Sequence, residues 1–208
     1  MKHSIFTYAV ICAGMFMGFA STSCSEDTKI DGSWIGTQER LFLNEKSLAD
    51  CEAESRFTFT PDADDASHGN VSIVTDLTIQ DAVPSNDSIV SSYEITVTGS
   101  SKISGTYVFT NDDEITVNLD SKTLQINIDP DGVVFASNVF TGQQEPQVEP
   151  LSRTELAGRY ERQLRMAVAG LYDRYHRIDE IKISHNIMAC EIADHDYSFR
   201  RADVQPEK

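Results

Sequence analysis

Histidine, serine and the carboxylates are where this chain would have to do chemistry, and their spacing supplies no catalytic constellation. Of five histidines in 208 residues, His68, His176, His185 and His195 lie beyond the apolar start. None belongs to an HExxH or to an i, i+4 pair, the arrangement that puts two imidazoles on one metal. His185 and His195 flank one hairpin beside Asp194 and Asp196, where turn histidines are ordinary. "DPDG" at 129–132 and "DADD" at 62–65 resemble fragments of calcium loops, but the terminal Glu at its required spacing is missing. No GxSxG elbow is present, nor a strand-to-helix turn to hold one. Asp and Glu number 33, so carboxylate pairs occur by chance. A glycosidase needs two of them opposed across a cleft, with one kept protonated by burial, and the short loops offer little wall. Glycine-rich phosphate loops are absent. The expectation is a non-catalytic protein with no metal and no cofactor.

Charge narrows the partners. A formal net charge of −16 repels nucleic acid and anionic lipid heads. The chain has no basic groove, no arginine-and-aromatic track and no finger spacing, so nucleic acid is excluded as a partner.

The elements are mostly strands. "SWIGTQERLFL" opens them. "SRFTFTP" puts Phe57 and Phe59 on one face; "GNVSIVTDLTI" does so for Val71, Ile73, Leu77 and Ile79; "SYEITVTG" for Tyr93, Ile95 and Val97. "GTYVFTN", "EITVNLD", "TLQINID" and "GVVFAS" continue the alternation, which marks antiparallel strands wet on one side. "TNDDE" at 110–114, "LDSKT" at 119–123 and "DPDG" read as tight connections. After two prolines in 141–151, "SRTE" at 152–155 is a capping box. Leu156, Tyr160, Leu164, Val168, Leu171 and Tyr175 then form one apolar stripe, predicting a helix at 153–176. Strand text returns through Ile181, Met188, Cys190, Ile192, Tyr197 and Phe199.

Strand follows strand without crossover helices. The predicted fold is all-β: a single antiparallel up-and-down β-barrel of about 8–10 strands, closed so as to remove its edges, with the one helix packed on it. Its inward residues would include Trp34, Phe57, Phe59, Tyr107, Ile115, Ile126 and Phe135. Many are large, which favours a packed interior or a small cavity at one mouth. Tyr93, Tyr107 and Phe109 would line that mouth, since a tyrosine has an apolar body and a polar tip.

The chain opens with MKH and then IFTYAVICAGMFMGFA, the plan of an export signal rather than a membrane span. It ends at Ser21-Thr22-Ser23-Cys24, which resembles the lipobox of bacterial lipoproteins, with Ser21 in place of the usual leucine. That resemblance implies a signal peptide at 1–23 and acyl chains on Cys24; several chains make a stable anchor where one does not. Ser25-Glu26-Asp27 resembles the surface-export signal of Bacteroidetes lipoproteins. The expected location is the outer membrane of the cell envelope, facing outward or otherwise into the periplasm. Residues 24–30 would be an acidic tether, 31–202 the barrel domain and 203–208 a disordered tail. Cys12 leaves with the signal and Cys24 is acylated. Cys51 and Cys190 remain as an even pair in an oxidising compartment, and a disulfide between them is expected.

Gly32-Ser33-Trp34 opening an antiparallel barrel is similar to the lipocalin, or wider calycin, pattern. The resemblance implies that Trp34 packs across a closed barrel end, with a last-strand arginine over its ring. Strand parity selects Arg201, which shares a face with Tyr197 and Phe199. The late helix followed by more strands departs from true lipocalins, so the nearest resemblance is to lipocalin-like lipoproteins of Bacteroidetes. Two functions are in view. One is binding of a small apolar or amphipathic ligand in or at the mouth of the barrel. The other is a surface interaction or scaffold module with a filled barrel, whose partner is a protein or a glycan.

Overall fold

The computed structural model describes residues 30–43, 49–84, 92–136 and 152–202. The expected signal peptide, Cys24, the tether before Ile30 and the 203–208 tail lie outside them. The elements are β1 (Gly32–Ile35), β2 (Glu39–Phe42), β3 (Asp50–Pro61), β4 (His68–Pro84), β5 (Ser92–Asn111), β6 (Glu114–Asn127), β7 (Val133–Phe135), α1 (Arg153–Arg174), β8 (Arg177–Ser184), β9 (Ile187–Ile192) and β10 (His195–Arg201).

The strands form an antiparallel β-barrel. Pairing runs β1–β10–β9–β8–β6–β5–β4–β3 and returns from β3 to β1. The seam is β1, which pairs Trp34 with Arg201 on one side and with Phe57 on the other. The long strands continue past this ring. There β3, β4 and β5 form an open sheet edged by β2, which pairs the start of β3, and by β7, which pairs Ile95–Val97 of β5. Closure therefore protects the edges of the ring, while among the described residues β2 and β7 are the edges of the extension.

Two pairs of stretches that read as separate strands are single strands. "SYEITVTG" and "GTYVFTN" both belong to β5, and β6 runs through "LDSKT". The turn chemistry there makes a bulge instead of a reversal. Ser104 stands opposite Asp120 and Lys102 opposite Gln125, and the Thr123 hydroxyl donates to the Asp120 carbonyl at 2.7 Å. Such extra residues bend and coil a strand, which lets β6 pass from the ring into the extension. Gly105 sits at this bend, where a side chain would collide with the Asn118 carbonyl.

The helix begins at the predicted box. The Ser152 hydroxyl accepts from the Glu155 amide and the Glu155 carboxylate accepts from the Ser152 amide. It ends at Arg174, two residues before the predicted end, because Tyr175 caps it and β8 starts at Arg177. Its stripe buries Leu156, Tyr160, Leu164, Val168, Leu171 and Tyr172. The contacts of Tyr172 and Tyr175 put this stripe on the face that also lines the ring: Tyr172 bonds Thr75 and Ser101, and the Tyr175 ring meets Phe57.

Candidate functional site

Trp34 is fully buried at the β1 seam of the ring. Its indole N–H donates to the Ile30 carbonyl at 2.8 Å. The Arg201 guanidinium lies 4.5 Å from the indole centroid, a cation–π contact. Arg201 also donates to the Asp31 carbonyl at 3.2 Å. Gly32 has φ +95°, a left-handed conformation that glycine adopts without strain. It lets the guanidinium pass close by, since an added Cβ would lie 3.1 Å from Arg201 Nη1.

Aromatic rings fill the ring interior. Phe57 meets Phe199 edge-on at 5.2 Å and Tyr175 at 4.9 Å, while Phe59 meets Tyr107 at 5.3 Å. Trp34, Phe57, Phe59, Ile115, Ile178 and Met188 are all essentially without exposure. Of the expected mouth residues, Tyr107 and Phe109 are neighbours, 6.1 Å between centroids. Tyr93 stands near the other end of β5, about 45 Å away along a strand of ordinary rise, and belongs to the extension. The Tyr107 hydroxyl is buried and has no hydrogen-bond partner among the described residues. Burial, with Asp62 and Asp31 nearby, raises its pKa above the usual phenol range.

A second centre was not foreseen from the sequence. Ser55, Thr75 and Ser101 stand directly opposite one another on β3, β4 and β5 and are buried. The Tyr172 hydroxyl lies 2.7 Å from Ser101 Oγ and 3.0 Å from Thr75 Oγ1, which is 3.0 Å from Ser55 Oγ. Tyr175 donates to Glu39 at 2.8 Å, with its hydroxyl 3.4 Å from Ser55 Oγ. Glu39 also accepts from Arg174 at 2.7 Å and Tyr197 at 3.1 Å. One hydrogen-bonded chain thus ties α1 to β2, β3, β4, β5 and β10. Farther along, Tyr160 donates to Asp81 at 2.6 Å. Burial raises the phenol pKa values of Tyr172, Tyr175 and Tyr160, which keeps these hydroxyls as donors. The signal was present: Thr75 and Ser101 interrupt apolar alternations at inward parity, and Tyr172 sits one turn before Tyr175.

The expected disulfide is corrected by the structure. Cys51 and Cys190 are both free and buried. Cys190 is on β9, separated from β3 by β10 and β1. That is three strand spacings, about 14 Å along the wall, against the roughly 7 Å between Cα atoms that a disulfide tolerates. Sequence parity showed two inward cysteines but not which strands lie between them. Burial, with Asp50 and Glu52 adding to it, pushes the Cys51 thiol up to about 12, and burial alone does the same for Cys190.

On the outer wall, a groove of about 640 Å³ crosses β4, β5 and β6 toward the start of β8, and the buried Gly69, Tyr107 and Val117 form part of its lining. Asp62 and His68 lie at one side and Asn118 and His176 at the other, with Thr106, Val108 and Thr116 between. His185 and His195 sit at turns, each with Nδ1 beside a local oxygen, of Ser184 and Ala193. Among the described residues no three His, Cys, Asp or Glu side chains converge as metal ligands. Comparison with protein-family models, curated proteins and solved structures returned no match.

Two outcomes follow from this geometry. Tyr172→Phe removes the hydroxyl that bonds Ser101 and Thr75, leaving Thr75 its Ser55 partner but Ser101 without this one, and should cost about 1–3 kcal/mol, read as a lower urea midpoint at unchanged slope; a neutral result would mean that the hydroxyl row does not hold α1. For the cysteines, a raised folded pKa means that the neutral thiol is favoured in the native state. This contribution to stability is present below about pH 9 and is lost as pH rises toward about 12. Peptides carrying Cys51 and Cys190 should therefore resist alkylation in the native protein at pH 8 and be alkylated without reductant after unfolding; recovery of a Cys51–Cys190 cross-linked peptide would contradict the assignment.

Proposed function

We propose that the chain is an envelope lipoprotein of the lipocalin-like kind, anchored in the outer membrane through acylated Cys24, whose folded part is a non-catalytic interaction module. It works through its outer surface, on a protein or a glycan. One observation carries this reading: among the described residues, the chain's own side chains pack in the ring and against the inner face of the extension. Aromatic side chains fill the ring, and α1 lies on the inner face of the extension with its tyrosine hydroxyls matched to the sheet. A ligand entering there would have to displace packed rings and leave buried hydroxyls unpaired, at a cost of about 1–3 kcal/mol for each. The acidic outer surface suits a module held above a membrane whose headgroups it repels.

A second reading, an amphipathic ligand at the mouth near Tyr107 and Phe109, is favoured by the unpartnered Tyr107 hydroxyl. A bound ligand raises the unfolding midpoint with its concentration, so a panel of fatty acids and lysolipids separates the two. The first reading expects no concentration-dependent rise with any member; a saturable rise, abolished by Tyr107→Leu, would replace it with the second. The anchor is tested separately: Cys24→Ala should move the protein from the membrane to the soluble fraction, and retention in the membrane would remove the lipoprotein assignment.

A further inference from the structure

We propose that the outer groove across β4, β5 and β6 is a binding site for a neutral, polyhydroxylated ligand, a segment of glycan; this rests on the reading of the module as one that works through its outer wall. The groove is unusual for this molecule. In a chain with 33 acidic and 17 basic residues, its lining holds one carboxylate, Asp62, and no lysine or arginine. The remaining polar side chains are hydroxyls, an amide and two imidazoles.

The register orders them. Thr106 and Asn118 stand opposite one another on β5 and β6, in a row that Asn70 and Thr60 continue across β4 and β3 beyond the groove lining. Next to it run His68, Val108 and Thr116. Neighbouring strands lie about 4.8 Å apart, close to the length of one pyranose ring, so successive side chains in a row can meet successive sugars. Val108 and the threonine methyl groups give the C–H face of a sugar an apolar seat.

The histidines are oriented as acceptors. The His68 ring bonds the Asp65 carboxylate through Nδ1 at 2.9 Å. His176 uses Nδ1 against the Asp173 carbonyl at 2.8 Å. Each of these oxygens accepts, so Nδ1 donates to it, and wherever the ring is neutral Nε2 is left as a lone-pair acceptor. With Asp62 and the Asn118 carbonyl, the two banks are rich in acceptors and carry no fixed positive charge. That favours a ligand rich in O–H donors and disfavours phosphate, sulfate or carboxylate. The groove volume of about 640 Å³ falls in the range of small-molecule sites.

The test uses the full chain in detergent, with imidazole nitrogens observed by NMR during titration with neutral oligosaccharides (cello-, manno-, galacto- and malto-tetraose), with spermidine and with inorganic phosphate. At least one oligosaccharide should shift the His68 and His176 signals together and saturably, while those of His185 and His195 stay fixed. The exposed double substitution Thr106→Val/Asn118→Leu should weaken that binding about tenfold or more, with an unchanged unfolding midpoint showing that the fold is intact. Shifts with spermidine or phosphate alone, or with no probe, would overturn the site. Sugar binding that the double variant leaves unaltered would place the glycan elsewhere, overturning this site while sparing the interaction module. Failure of the module itself would be read in the fatty-acid and lysolipid titration.

Discussion

Three hydroxyls on the inner face of the sheet govern what this molecule can hold. Ser55, Thr75 and Ser101 are buried in register across three strands, and a buried hydroxyl without a partner costs more than its bond would contribute. The partner comes from the chain itself: the Tyr172 hydroxyl bonds two of them, and Tyr175 extends the chain to Glu39. The row works as a register mark for α1. Sliding the helix by one residue would point Tyr172 away from Thr75 and Ser101, leaving Ser101 without that partner and Thr75 with Ser55 alone. A hydrophobic stripe alone would permit such slippage; two tyrosines three residues apart, aimed at fixed hydroxyls, do not.

The same end of the helix joins the extension to the ring. Tyr175 packs its ring on Phe57, which packs on Phe199, and Phe57 stands opposite Trp34 at the seam. Closure at β1 and seating of α1 are therefore parts of one core. Arg201 lies over the Trp34 ring, so a cation–π contact is part of the seam. Filling and closing the barrel reinforce each other, which leaves the outer wall as the surface with freedom to vary. Phe42, 83% exposed on the edge strand β2, belongs to that outer surface.

Period-two alternation made the all-β class, the antiparallel barrel and the inward residues legible in the sequence, and the capping box located the start of α1. Strand parity also selected Arg201 over Arg200 as the residue above Trp34. Turn-like letters misled at "LDSKT", because a bulge uses the same hydrogen bonds as a reversal and only pairing across strands tells them apart. The cysteines misled for a related reason: parity shows facing, whereas separation around a ring depends on topology. Tyr93 was grouped with Tyr107 because both alternate correctly on one strand, and only the length of β5 separates them. The hydroxyl row was visible as breaks in apolar alternation, but its meaning required knowing that the helix faces it. The outer groove was invisible, since it joins residues from β4, β5, β6 and the turn before β8.

The account stands on α1 being a fixed part of the core and not a lid over an empty sheet. Native-state hydrogen exchange measures this most directly, because it reports the free energy of opening for each amide. If α1 is a fixed filler, the amides flanking Leu164, Val168 and Tyr172 should open with the same free energy, and the same denaturant dependence, as those flanking Ile73 and Thr75 in β4. Exchange of α1 through a separate, low-energy opening while β4 stays protected would contradict it and make the inner face an accessible site.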